Sequence, residues 1–279
     1  MAWMIYRKGD ATIAVRDGES RALATKWDDL FRQQDVAAWL ATAFNAAPAC
    51  DLPNFATAID PPIVSQEVWA AGVTYYRSRD ARMAESADAG GGTFYDRVYA
   101  ADRPELFFKG NARRTAGHRQ PLRIRVDSKW NVPEPELTLA INAFGRIFGY
   151  TVGNDMSSRD IEGANPLYLP QAKVYDGCCG LGPGVCIPDQ PLDPSTTISL
   201  TIRRGQAVAF EGQTTLDQLK RKPDELAGYL FRDQSFPDGC FLLTGTGVIP
   251  GDDFTLQPDD EVTIAIAGVG ELINTVTRA

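Results

Sequence analysis

The sequence predicts an α+β, β-rich fold: a closed or sandwiched β core with a few helices, preceded by a small N-terminal domain. Three observations carry this. At 279 residues, 44% of them hydrophobic, the chain can bury a large core. Beyond residue 64, short apolar or alternating runs bounded by Gly and Pro dominate, as strands require. Before it, Leu30, Phe31, Val36, Trp39, Leu40 and Phe44 recur at helical spacing, and Pro48, Pro53, Pro61 and Pro62 punctuate a linker. The expected domains are 1–62, a cap without evident chemistry, and 63–279.

In chain order, residues 3–15 alternate around Gly9-Asp10 and predict a hairpin. Residues 28–44 predict one or two amphipathic helices. A strand should end at Gly72, followed by a charged helix through Glu85 and a glycine-rich stretch at 87–93, which matches no phosphate-binding pattern. Residues 104–110 (PELFFKG) predict a buried strand with Glu105 and Lys109 at its ends. Glu105 is then either solvated at the strand edge, which spacing alone favours, or held in a dry pocket where its raised pKa would suit proton transfer. Further strands are expected at 124–126 and 137–144, with Gly145, Gly149 and Gly153 as bends leading to Asp155. A hairpin follows around Arg204-Gly205, then a helix over 216–231 broken near Pro223. A buried strand opens into a tight loop at 241–247, and a closing hairpin turns at 268–270.

Composition narrows the function classes. A net charge of -8 without a basic cluster argues against nucleic acid and anionic membranes. Five cysteines, an odd number with no C-x-x-C, give neither a disulfide framework nor a structural zinc site. The first residues carry early charges and no long apolar run, so a cytoplasmic protein is expected. The single histidine, His118 in G-H-R-Q-P, excludes a two-histidine metal site within the chain and reads as a surface-loop residue.

The chemistry concentrates in residues 130–183. Glu134 and Glu136 are two apart in V-P-E-P-E-L, so in an extended segment they share a face. A neighbouring strand delivering Asp155 would complete a three-carboxylate face, an all-oxygen set suited to Mg²⁺, Mn²⁺ or Ca²⁺ rather than zinc. Lys173 lies nearby in Q-A-K-V-Y-D-G. Asp176 is expected to hold it in place, and Thr244 and Thr246 sit on a glycine loop suited to a carboxylate. Arg77, Arg79 and Arg82 fit a substrate's polar tail as well as they fit a solvated helix face.

Several motifs in order then identify a resemblance: G-V-T-Y at 72–75, P-E-L-F-F-K at 104–109, P-E-P-E-L at 133–137, G-N-D-x-S-x-R-D at 153–160, K-V-Y-D-G ending in G-P at 173–183, L-T-G-T-G at 243–247 and G-V-G-E-L-I-N-T-V at 268–276. The chain resembles the fumarylacetoacetate hydrolase family over about three quarters of its length. The resemblance implies a mixed β-sandwich roll, a homodimer or homotetramer, and Mg²⁺ or Mn²⁺ held by Glu134, Glu136 and Asp155. It also implies a 2-oxo acid substrate, with Arg159 and Lys173 lining the site and Thr246 contacting the substrate carboxylate. Hydrolases of the family carry a histidine after the G-x-x-Y motif to activate water, and here Ser78 or a neighbour stands in its place. The branch lacking that histidine comprises the 2-keto-3-deoxy sugar acid dehydratases. It implies loss of water through a metal-stabilised enolate, with Glu105 and Lys173 as proton carriers; Arg77, Ser78 and Asp176 are further candidates on the substrate side. The rival expectation is hydrolysis of an acylpyruvate, or oxaloacetate decarboxylation, at the same metal site.

Overall fold

The computed structural model describes residues 2–75, 98 and 100–278. The expected helix through Glu85, the glycine-rich stretch, and Arg77, Ser78, Arg79 and Arg82 lie outside them. The chain begins with strands β1 (Trp3–Lys8), β2 (Ala11–Arg16) and β3 (Glu19–Leu23), then helices α1 (Trp27–Phe31) and α2 (Val36–Ala46). Strands β4 (Glu67–Gly72), β5 (Glu105–Asn111), β6 (Thr115–Ala116), β7 (Leu122–Ile124), β8 (Asn131–Val132), β9 (Pro135–Ile141), β10 (Ile147–Asp155) and β11 (Ser157–Ser158) follow. Helices α3 (Arg159–Ala164) and α4 (Leu169–Lys173) precede β12 (Cys179–Ile187), β13 (Thr197–Arg204) and β14 (Ala207–Thr215). Helix α5 (Pro223–Leu230) leads to β15 (Cys240–Leu243), β16 (Glu261–Ile266) and β17 (Gly270–Arg278). No helix among the described residues is long and apolar enough to cross a membrane.

The strands form two main sheets. One runs β3-β2-β1-β12-β10-β9-β15-β4-β5 with β6 joined to β12, and the other runs β14-β13-β16-β17-β7. Period-2 patterning packs them face to face: Ile198, Leu200 and Ile202 of β13 are buried while the residues between them are part-exposed. They meet Leu137, Leu139, Ile141 and Val152 of the larger sheet in one cluster. β9 is buried throughout because its other face is covered as well. There Ala140, Phe241 and Leu243 pack with Trp27, Leu30, Phe31 and Leu40 from α1 and α2.

The N-terminal segment is therefore not a separate layer. β1 pairs antiparallel with β12, Ile5 opposite Val185, so β1–β3 extend the main sheet. Asp28 of α1 accepts hydrogen bonds from the Ser65 hydroxyl (2.6 Å) and the Gln66 amide (2.9 Å) at the threshold of β4. The core runs uninterrupted across residue 62.

Three local expectations are corrected. Gly149 and Gly153 are not bends but lie within β10, where a Cβ on Gly149 would fall 2.7 Å from Val185 Cγ1 and one on Gly153 2.1 Å from Thr138 Oγ1; they are glycines because side chains of the neighbouring strands pack against them. Of the helix expected over 216–231, a 3₁₀ turn (Leu216–Gln218) and α5 are realised, with Pro223 opening α5, where its missing N–H costs nothing. His118 is buried rather than on the surface. The Ile273 N–H donates to its Nδ1 (3.3 Å), so Nε2 carries the proton donated to the Phe55 carbonyl (3.1 Å). Burial accordingly lowers its pKa, the Phe55 carbonyl opposing this and Arg119 assisting it.

Candidate active site

The β9–β10 ladder assembles the acidic residues. Glu136 lies opposite Gly153 and Pro135 opposite Asn154. The next bond, Asp155 N–H to Glu134 carbonyl (3.0 Å), carries the pairing past the strand end. Glu134, Glu136 and Asp155 are each at least 96% buried, with candidate ligand oxygens all within 4.8 Å of one another. The stiff V-P-E-P-E segment sends both glutamates to one side, and β10 brings the aspartate alongside.

Three buried cations face them. The Lys173 ammonium lies 2.5 Å from Glu134 Oε2, 3.1 Å from Asp155 Oδ2 and 2.6 Å from Ser157 Oγ. The Lys109 ammonium lies 2.5 Å from Asp155 Oδ1 and donates to the Met156 and Lys173 carbonyls (2.9 and 2.5 Å). Arg159, opening α3, reaches Glu134 Oε1 (2.5 Å) and Glu162 Oε2 (3.3 Å). Burial pulls the Lys109 pKa down, but the Asp155 carboxylate beside it outweighs this and the net shift is upward. Burial also raises the Glu136 pKa well above the carboxylate range; Asp155 and Glu134 add to this, while Lys173 and the Gly245 N–H oppose it. That N–H donates to Glu136 Oε2 (2.5 Å) from a backbone with φ of +91°, a conformation suited to glycine.

The site can therefore take one more cation. Carboxylate oxygens are the donors a hard divalent ion requires, and an added positive charge would offset both the burial and the repulsion that raise Glu136. Glu134, Glu136 and Asp155 fit that role.

The same acidic group opens into a pocket completed by Ala71, Gly72, Val73, Phe107, Thr246 and Ile249, with Arg159, Lys173 and Gly245 also on its wall. Thr246 is buried there, its hydroxyl donating to the Val248 carbonyl (3.1 Å). The Thr244 hydroxyl is turned away, donating to Leu137 (2.9 Å). Glu105 opens β5 directly across from Gly72, at the pocket's edge and half-buried. Asp176, expected to steady Lys173, is instead exposed. α4 ends at Lys173, and the chain turns through Gly177 (φ +72°) before β12, so the two side chains part. Ser157, Glu134 and Asp155 surround the ammonium in its place.

Lys109, Ser157, Glu162 and Gly245 were not anticipated. The signal for Lys109 was present: residues 105, 107 and 109 of β5 share a face, and Phe107 lines the pocket. A lysine ending an apolar run ordinarily extends to solvent, which hid it.

A β-sandwich with a buried cluster of three carboxylates and Lys173 on a pocket wall has the donor set of a hard-metal enzyme site. The chain belongs to the fumarylacetoacetate hydrolase family, whose C-terminal region it matches over residues 83–277. It is 48% identical over 217 residues to a probable 2-keto-3-deoxyxylonate dehydratase of Haloferax volcanii, covering 77% of this chain and 74% of that one. It is 44% identical over 222 residues to the 2-dehydro-3-deoxy-D-arabinonate dehydratase of Saccharolobus solfataricus, covering 79% and 73%. A solved 2-keto-3-deoxy-D-arabinonate dehydratase complexed with magnesium and 2,5-dioxopentanoate superposes with a TM-score of 0.83 at 33% identity, covering 100% of this chain and 99% of the other.

Proposed function

We propose that the chain is a Mg²⁺-dependent hydro-lyase that dehydrates a 2-keto-3-deoxy sugar acid, converting 2-keto-3-deoxy-D-arabinonate to 2,5-dioxopentanoate and water. The observation that carries this reading is the buried cluster of Glu134, Glu136 and Asp155 with Lys173 among them, in a chain similar to a dehydratase complexed with magnesium and that dioxo acid. Glu134, Glu136 and Asp155 would hold the ion. When bound, it supplies Lewis-acid withdrawal of electron density from the 2-oxo acid group.

The protein's own residues then move protons. One of Lys173 and Glu105 takes a proton from C3, and the other gives one to the C4 hydroxyl as it leaves as water. The resulting C3–C4 double bond, with a hydroxyl on C5, tautomerises to the C5 aldehyde. Lys173 is aimed by Ser157 and Glu134, and Glu105 stands at the pocket edge beside Gly72. Arg159 anchors Glu134 and adds positive charge for the substrate carboxylate, to which Thr246 contributes a polar contact. Arg77 and Ser78 are assigned to the sugar-acid tail. Hydrolysis is disfavoured because His118 has both ring nitrogens engaged, by Phe55 and Ile273, and cannot serve as a base for water. A cytoplasmic homodimer or homotetramer completes the reading.

The test is turnover of 2-keto-3-deoxy-D-arabinonate and its L enantiomer with Mg²⁺, with and without EDTA, the aldehyde being detected by a coupled semialdehyde dehydrogenase. Aldehyde formation that EDTA abolishes, and that Lys173→Ala and Glu105→Gln each reduce by about 10²-fold or more, is the expected result. Silence on both sugar acids, with pyruvate released from an acylpyruvate or oxaloacetate, would overturn the dehydratase reading.

A further inference from the structure

We propose that Gly72 is a positioning residue: by lacking a Cβ it leaves the space in which the Glu105 carboxylate stands at the pocket. This rests on the assignment of Glu105 as a proton carrier. Gly72 is the last residue of β4, lines the pocket, and faces Glu105 across the β4–β5 ladder. A Cβ built on Gly72 would fall 2.0 Å from Glu105 Oε2, 2.6 Å from its Cδ and 3.3 Å from its Cγ, its three nearest neighbours. The carboxylate therefore occupies the volume that any other residue at 72 would fill.

What yields on adding that methyl group is decided by the surroundings. Gly117 and Gly184 are blocked by backbone, with Ile59 O at 2.1 Å and Ile5 O at 2.4 Å from the built Cβ, so a substitution there strains the chain itself. At Gly72 the nearest obstacle is the far end of a side chain rather than backbone. The backbone around it is pinned: Val73 is held at φ +53°, an unfavourable value for a β-branched residue. The Thr74 hydroxyl donates to the Thr244 carbonyl (2.6 Å), and the Lys220 N–H donates to the Thr74 carbonyl (2.9 Å). With β4 fixed on both sides, Gly72→Ala moves the carboxylate and leaves the fold in place.

Proton transfer requires reach of about 2.6–3.2 Å, and a displacement of about 1 Å can cost about 10²-fold in rate. Gly72→Ala is therefore expected to lower kcat about 10²-fold, with KM, the calorimetric Mg²⁺ affinity measured without substrate, and the melting temperature close to wild type. Glu105→Asp draws the carboxylate back by one bond, about 1.5 Å. It should impair the wild-type enzyme yet relieve the collision in Gly72→Ala. The double variant should exceed the product of the two single effects by about fivefold or more. Wild-type kcat in Gly72→Ala, additive losses in the double variant, or a rate loss accompanied by lost Mg²⁺ affinity would each overturn the proposal. Glu105→Gln separates it from the reading beneath it. Full turnover in Glu105→Gln overturns the role of Glu105 and the proposal with it. Lost turnover there, with Gly72→Ala unimpaired, overturns the proposal alone.

Discussion

Replacing Lys109 by Met keeps an unbranched apolar stem, one atom shorter, and removes the charge, which tests how the acidic cluster is held together. The ammonium is fully buried, 2.5 Å from Asp155 Oδ1, and donates to the carbonyls of Met156 and Lys173. Without it, Asp155 keeps Lys173 at 3.1 Å, and two buried carbonyls lose a donor. Breaking a buried ion pair from one side costs about 3–5 kcal/mol. An unfolding entropy of about 2.1 cal/mol/K per residue over 279 residues gives about 0.6 kcal/mol/K, so the melting temperature should fall by about 5–9 °C. Scanning calorimetry of wild type, Lys109→Met, Asp155→Asn and the double variant, all in EDTA, measures it. The double variant removes the unpaired charge along with its partner, so its loss should fall short of the summed single losses by about 1 kcal/mol or more. A Lys109→Met protein melting within about 1 °C of wild type, or strictly additive losses, would refute the pairing as the source of the stability.

Two further outcomes follow from the packing. His118 is neutral in the fold because burial depresses its pKa below the ordinary value near 6.5. Its contribution is complete above about pH 6.5 and is lost as the pH falls toward the folded-state value, by at most about 1.4 kcal/mol per pH unit. The urea midpoint should therefore drop more between pH 7 and pH 5 in wild type than in His118→Gln; equal drops would contradict this. Gly117→Ala sets a Cβ against the Ile59 carbonyl oxygen at 2.1 Å and the Pro61 nitrogen at 2.6 Å. It should cost about 1–3 kcal/mol of stability in urea unfolding, whereas Gly72→Ala, whose nearest obstacle is a side-chain end, should cost far less.

The parts of the molecule legible in the sequence are those determined by neighbours in the chain. The turns at Gly9, Gly205 and Gly268 need a left-handed backbone (φ +59°, +59° and +74°), which glycine between alternating runs signals. E-x-E declares a shared face, and the ladder that sets Glu136 against Gly153 brings Asp155 to it. What was hidden depends on contacts between distant segments. Nothing near β1 says that it will pair with β12, roughly 180 residues on, so the first sixty residues read as a cap when they extend the sheet. Asp176 shows the converse error: only Val174 and Tyr175 separate it from Lys173, but the end of α4 and the turn at Gly177 carry it to the surface.

Lys109 and His118 misled for one physical reason. Each is a polar residue that local rules assign to solvent, and each is buried by partners from other elements: Asp155 and two carbonyls for the lysine, Phe55 and Ile273 for the histidine. Burying a charge is costly unless it is paired, so a fold that does so several times in one place must return the cost through mutual neutralisation. Lys109, Lys173 and Arg159 among Glu134, Glu136 and Asp155 achieve that, and Glu136, driven upward by burial first and by its acidic neighbours second, marks where the balance is least complete. His118 buries no charge, because it stays neutral, and its place is structural. The same local rule therefore fails at two positions with different meanings, and the sign of the uncompensated charge, not burial alone, separates the site from the scaffold.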